Sequence, residues 1–360
     1  MIHRENSPVH SQAQYQFGPD GSQFSHRYSD GVHHKRIAIL GPCPPPLGGI
    51  SVHIQRVMHK FQQQNNKVYH FSTVVEYRYR YLLVYLIHLA GWLVYRRPDQ
   101  VYYHTSYVSN TLPEMRMLAL LKRIFKYELI LVDHDCRYLY TRSSRFIKRY
   151  NTFMHQVDIL VLIGSVTQQS YKDKQLHMPL STTMEAAFLP PNSATEPQIL
   201  KTYPSSLHAF MFNHEPLILA NAYQLSLLNG KDLYGVDVCL YMLAALSASH
   251  PRSGFILALA QIGDEDYFRQ ICFLAHKLQV TERLYILTQQ KELWPLLKKV
   301  DLFVRPTLSD GASVSVQEAL YFGTPTIASD VCLRPQGTVL FSTGNMQDFM
   351  SKVRGCLRKE

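Results

Sequence analysis

Short β-branched and apolar runs alternate with amphipathic stretches along most of this chain. Arg36 to Gly41, Lys67 to Ser72, Gln100 to Thr105, Glu128 to Asp133 and Val157 to Ile163 read as strands, and segments starting near Ile50, Tyr81, Thr111, Ser143 and Ser165 carry helical apolar spacing between them. Successive parallel strands need a crossover, and a helix supplies it, so the alternation predicts a doubly wound α/β domain.

Prolines and serines interrupt the rhythm from Leu189 to Glu215, which reads as a domain junction. It then restarts with strands at Pro216 to Asn221, Phe255 to Gln261, Arg283 to Leu287, Asp301 to Arg305, Thr324 to Ala328 and Thr338 to Phe341. Helical stretches fall at Tyr234 to Ser249, Glu265 to Leu278 and Glu292 to Lys299. The expected plan is a lead-in over 1–35, a Rossmann-like domain over 36–190, a junction over 191–215 and a second Rossmann-like domain over 216–360. Sheets of this kind bind ligands beyond their strand carboxyl ends, so two in tandem predict a shared central cleft. Whether a last helix beyond Val353 crosses back to the first domain is left open.

A hydrophobic content of 46% excludes global disorder, and 360 residues exceed what one core usually serves. Charge sharpens the picture more than hydropathy does. The formal net charge is +10, and residues 36–180 alone carry 19 Lys/Arg against 8 Asp/Glu, so the first domain holds the whole excess. Arg116, Lys122, Arg123, Lys126, Arg142, Arg145, Lys148 and Arg149 lie in two helical segments, as expected for basic faces that meet an anionic membrane surface. Interleaved Tyr77, Arg78, Tyr79, Arg80 and Tyr81 suit stacking on bases or a membrane interface; the second is preferred, and no nucleic-acid partner is expected. The apolar run Tyr81 to Tyr95 is too short to span a bilayer and reads as a buried or interfacial helix. Six scattered cysteines with no Cys-x-x-Cys pair argue against a disulfide framework or structural zinc, and the lead-in lacks the apolar core of a signal peptide. The expected place is the cytoplasm, peripheral on the membrane.

Candidate chemistry clusters at predicted strand ends. Gly48 and Gly49, between the first strand and the next helix, suit either a tight turn or close approach of backbone N–H groups to phosphate; no G-x-G-x-x-G is present. His134 follows the fourth strand between Asp133 and Asp135, placed to orient a reacting group or to serve structure. Ser165 suits a helix cap or a substrate contact. The densest constellation is Arg305 to Pro325: a strand, a loop with Asp310, Gly311 and Ala312, and a helix start bearing Ser313, Val314, Ser315 and Glu318. Helix N–H groups there suit phosphate, and Glu318 suits either a ribose or a capping box with Ser315.

Asp310-x7-Glu318 followed by Ala319-Leu320 and Gly323-x-Pro325, together with the early Gly48-Gly49-Ile50-Ser51, resembles the retaining GT-B glycosyltransferases of family 4. The resemblance covers about Arg36 to Val353 and implies sugar transfer from a UDP- or GDP-sugar to a lipid-linked or polysaccharide acceptor, with no metal or other cofactor required. It implies that Glu318 holds the ribose, that Asp310 and His134 meet the donor sugar, and that Gly48, Gly49 and the stretch Gly311, Ala312, Ser313, Val314 and Ser315 receive the diphosphate. This chain departs from the pattern in two places. Asp310 stands for the usual Glu, and Tyr234-Gly235 stands where relatives carry Lys-Gly to grip the diphosphate. Either Lys231, Arg305 or Arg334 substitutes or backbone amides hold the phosphate; failing both, the chain is a degenerate GT-B protein that binds a nucleotide or partner without turnover.

Overall fold

The computed structural model describes residues 34–44, 48–73, 81–105, 112–134, 138–163, 165–185, 187–288, 291–311 and 313–357. Almost all of the expected lead-in, the Tyr77 to Arg80 patch, Asp135 and Ala312 lie outside them, as does the side chain of Ser165. Residues 33–360 form one compact unit.

The first sheet is built from β1 (Arg36–Gly41), β2 (Lys67–Ser72), β3 (Gln100–Thr105), β4 (Glu128–Asp133), β5 (Ile159–Ile163) and β6 (Ser181–Glu185). All pairs are parallel, in the order β2-β1-β3-β4-β5-β6. Its crossovers are α1 (Gly49–Gln63), α2 (Leu82–Arg96), α3 (Leu112–Phe125), the short α4 (Tyr138–Thr141), α5 (Ser144–Met154) and α6 (Ser165–Asp173). The predicted strands before β6 recur almost residue for residue: β1, β3, β4 and β5 are buried on both faces, and β2 is a half-buried strand beside β1 at the sheet edge. Polar Ser181–Glu185 gave no such signal and still pairs as the edge strand β6.

Two helices occupy the junction, α7 (Glu196–Leu200) and α8 (Ser205–Asn213). Tyr203 and Leu207 bury against Leu219, Ile256 and Phe303 of the second sheet. That sheet holds β7 (Leu217–Ala222), β10 (Gly254–Leu259), β11 (Leu284–Leu287), β12 (Leu302–Arg305), β13 (Thr326–Ser329) and β14 (Val339–Phe341), ordered β11-β10-β7-β12-β13-β14. A small hairpin of β8 (Leu227–Leu228) and β9 (Lys231–Asp232) follows β7. The helices here are α9 (Val236–Ala245), α10 (Glu265–Lys277), α11 (Trp294–Leu297), α12 (Val314–Tyr321) and α13 (Met346–Leu357). The last packs Phe349, Met350, Val353 and Leu357 into the second sheet's own core.

Both sheets reverse their strand order at the strands that matter. The switch lies between β1 and β3 in the first domain and between β7 and β12 in the second, so Gly41, Thr105, Ala222 and Arg305 end at crevices. The fold is GT-B: two doubly wound parallel sheets joined by a cleft.

Candidate active site

Gly48 is the N-cap of α1, with φ −141° and ψ 165°. That is extended backbone open to any residue, and neither Gly48 nor Gly49 has a positive φ, so a tight turn does not explain the pair. What the glycines do is keep the helix mouth bare. A Cβ on Gly49 would lie 3.8 Å from Val314 Cγ2, which sets the start of α1 directly against the start of α12 across the cleft. Two helix N-termini thus face one another, each with backbone N–H groups and the positive end of its dipole turned to the gap. The Ser51 hydroxyl accepts from Gly48 N at 2.9 Å and donates to Gly48 O at 3.0 Å, fixing the entry to α1.

Ser313 is the N-cap of α12, and its hydroxyl lies 3.3 Å from that of Ser315. Ser315 sits inside the first turn, so no capping box joins it to Glu318. Glu318 is buried and faces the other domain, where Arg56 of α1 donates from Nη2 to its Oε1 at 2.5 Å. Arg56 is held in turn by the Leu189 carbonyl, 2.7 Å from Nη1, and by the Phe188 ring. Burial pushes the Glu318 carboxyl up from its ordinary value and outweighs the pull of Arg56.

Asp310 is the hub of a second ion network. Arg305 reaches its carboxylate through Nε and Nη2 at 3.1 and 3.2 Å, and Arg334 through Nη1 at 2.8 Å. Burial alone would raise the Asp310 pKa, but the two guanidinium groups prevail and hold it below the usual carboxylate range. Arg305 also donates to Asn221 O at the end of β7 and stacks over Tyr234, while Arg334 donates to Ser329 O. The Gly311 amide, exposed, donates to Asp310 Oδ1.

The missing Lys-Gly has a structural account. Buried Asp232 accepts from the backbone N–H groups of Tyr234, Gly235, Val236 and Asp237, and from the Tyr267 hydroxyl. The mouth of α9 is therefore closed by an internal carboxylate. Gly235 has φ +68°, and a Cβ there would run into the Pro306 carbonyl. Lys231, next to this cap, is exposed on the hairpin, with no ion pair among the described residues.

His134 lies just past β4, its amide bonded to the Thr105 carbonyl. Its Nε2 is 2.9 Å from Nδ1 of His104, at the end of β3, and the ring of His53 on α1 packs against it at 4.9 Å. Burial holds His134 well below the ordinary imidazole value, with the neighbouring rings adding to the effect, so it is neutral at pH 7.

Arg56, His53 and His104 were not singled out from the sequence. The available signal was helical: Gly49, His53 and Arg56 repeat at i, i+4 and i+7, one face of α1. The structure gathers Gly48, Gly49, Ser313, Val314 and Glu318 at the cleft and groups Asp310 and Gly311 with the arginines beside it.

Comparison with known proteins fits this geometry. Residues 234–348 match the family model of glycosyl transferases group 1. The second domain is a glycosyltransferase domain. Crystal structures sharing the fold include HepE from Anabaena with UDP and glucose (14% identity, 91% of this chain and 90% of that one, TM-score 0.61). A glycosyltransferase from Rickettsia africae matches at 13% identity over 90% and 88%, TM-score 0.65. Sucrose-phosphate synthase from Thermosynechococcus elongatus matches at 12% over 90% of both, TM-score 0.61. No curated protein sequence matches. The chain is a GT-B glycosyltransferase.

Proposed function

We propose that the chain is a retaining family 4 enzyme that moves a sugar from a UDP- or GDP-sugar to a lipid-linked or polysaccharide acceptor. The observation that carries this reading is the apposition of the α1 and α12 mouths, Gly49 against Val314, above the buried carboxylate of Glu318. A nucleoside diphosphate has the matching chemistry: a diol for the carboxylate and an anion for two positive helix ends. HepE, bound to UDP and glucose, supports a donor of this class.

The reaction then needs little side-chain chemistry. As the glycosidic bond breaks, charge builds on the leaving diphosphate, and the N–H groups at both mouths stabilise it without reorganising. Arg305 and Arg334, with one carboxylate between them, leave a net positive charge beside the loop, which serves where Lys-Gly is absent and makes a metal unnecessary. Neutral His134 lies at the sugar end, Asp310 keeps the loop in place for sugar hydroxyls, and Lys231 is a secondary cation. The acceptor hydroxyl attacks the face the diphosphate leaves, and a departing phosphate oxygen takes its proton. Closure of the cleft excludes water that would hydrolyse the donor.

A membrane-borne acceptor is supported by α2, whose outward face exposes Leu83, Val84, Ile87, Val94 and Tyr95. Arg97, Arg116 and Arg123 stand exposed on and beside it, giving an apolar stripe with a basic border, suited to an anionic leaflet at the cytoplasmic face. No described helix is long and apolar enough to cross a membrane.

One arrangement favours a second reading, a non-catalytic GT-B protein: Glu318, Asp310 and the α9 mouth are all occupied by the protein's own charges. Calorimetry with UDP, GDP, ADP and their sugar conjugates separates the two. Selective binding of one nucleotide, lost in Glu318→Ala, supports the enzyme, and NMR of the product anomer then tests retention. No binding by a folded sample supports the alternative.

A further inference from the structure

The linear sequence shows no Cys/His cluster, but the fold assembles one. His53 on α1, His104 on β3 and His134 beyond β4 each offer a ring nitrogen, and these nitrogens lie within 4.8 Å of one another. His53 and His104 are buried and His134 is half-buried. His53 Nδ1 lies 3.0 Å from the Ala187 carbonyl oxygen. A carbonyl only accepts, so Nδ1 carries the proton and Nε2 keeps its lone pair. An N–H to backbone carbonyl bond of this kind is the outer contact that orients a metal-binding imidazole.

The other two rings point the same way. His104 Nδ1 and His134 Nε2 share one proton at 2.9 Å, which requires one lone pair between them. His104 Nε2 is buried with no hydrogen-bond partner among the described residues, a cost normally avoided. We propose that His53, His104 and His134 form a site for a divalent transition-metal ion of the zinc class, held by one nitrogen of each ring.

Imidazole, with no carboxylate or thiolate in the group among the described residues, selects zinc, copper, nickel or cobalt and rejects magnesium and calcium, which take oxygen. Tetrahedral bonds of about 2.0–2.1 Å require ligand nitrogens roughly 3.3 Å apart, a contraction within reach of side-chain rotation. Three protein nitrogens leave the fourth position open. The positive charge of Arg56, one turn beyond His53, opposes the ion and favours reversible over permanent occupancy. One consequence rests on the proposed function: the ion takes His134 away from the donor sugar, so zinc inhibits transfer.

The test is a cobalt titration of the chelator-treated full chain, followed by visible absorption and by zinc competition. The expected result is one cobalt per chain with a tetrahedral spectrum, displaced by zinc, and at least tenfold weaker binding in both His53→Gln and His134→Ala. Exposed His88→Ala is the control and binds as wild type does. Circular dichroism establishes that each variant is folded; should His53→Gln unfold, half-buried His134→Ala decides alone. Substoichiometric binding, or binding unchanged in the variants, overturns the site and leaves the rings holding water. Nucleotide affinity, measured on metal-free protein, reports on the transferase reading separately.

Discussion

Arg56 and Glu318 form an ion pair between α1 of the first domain and α12 of the second, with both side chains about nine-tenths buried. Each alone would be a costly charge in a dry place, so the pair ties the proposed nucleotide site to the packing of one domain on the other. Removing one partner of such a pair typically costs 3–5 kcal/mol. Glu318 already titrates above its unfolded value of 4.5, so the folded state binds a proton where the unfolded chain does not, and stability contributed at low pH is lost as pH rises. Arg56→Met raises that pKa further. Its cost should therefore be larger at pH 8, about 3 kcal/mol, than at pH 5. Urea unfolding of both proteins at the two pH values checks this.

The Asp310 network has the opposite sign. Its carboxyl is held below the unfolded value of 3.8, so its stabilisation is full above that value and is lost as pH falls through the lower folded pKa. Asp310→Asn leaves Arg305 and Arg334 without their shared partner. It should cost about 3 kcal/mol at pH 7, and the gap to wild type should narrow on acidification below 3.8. Thermal unfolding across an acid series measures both.

These opposite signs were not readable in advance, although the loop and helix carrying Asp310 and Glu318 were. Strands such as β4 and β5, buried on both faces, announce themselves as continuous apolar runs, and Gly48-Gly49 marks a helix mouth. What Glu318 touches depends on Arg56, 262 residues away, and no local spacing encodes that. The edge strand β6 and the junction helices were missed for a related reason: β6 is polar, and α7 and α8 hide among prolines, so only packing reveals them. His104 looked like an ordinary strand residue until the sheet register set it beside Val132, one position short of the Thr105–Asp133 pair.

Asp232 offers a third measurement. It satisfies the backbone N–H groups at the mouth of α9 and accepts from Tyr267, whose hydroxyl is pushed up chiefly by burial and next by this carboxylate. Losing a helix cap costs about 1–2 kcal/mol, and the buried Tyr267 donor would lose its partner as well. Asp232→Ala should lower unfolding free energy by about 2–3 kcal/mol in denaturant titration. Lys231→Ala, one residue away and exposed, should change it little, and should weaken nucleotide binding less than Arg305→Met does, because Arg305 sits at the sheet switch and Lys231 on the hairpin.

The stripe on α2 makes a claim about surfaces. Leu83 and Ile87 are 71% and 64% exposed, one turn apart on the same face. Fully burying such a side chain is worth about 1.5–3 kcal/mol, so either Leu83→Glu or Ile87→Glu should weaken binding to phosphatidylserine-containing vesicles about tenfold or more. Folding should survive, since neither residue is in the core. Arg116 and Arg123 on the adjoining α3 act through charge alone, so Arg116→Gln with Arg123→Gln should reduce binding mainly at low salt, where screening is weak. Vesicle sedimentation at two salt concentrations separates the contributions: an apolar loss that persists in high salt beside a basic loss that disappears. Equal salt dependence for both sets would mean that the stripe does not enter the bilayer.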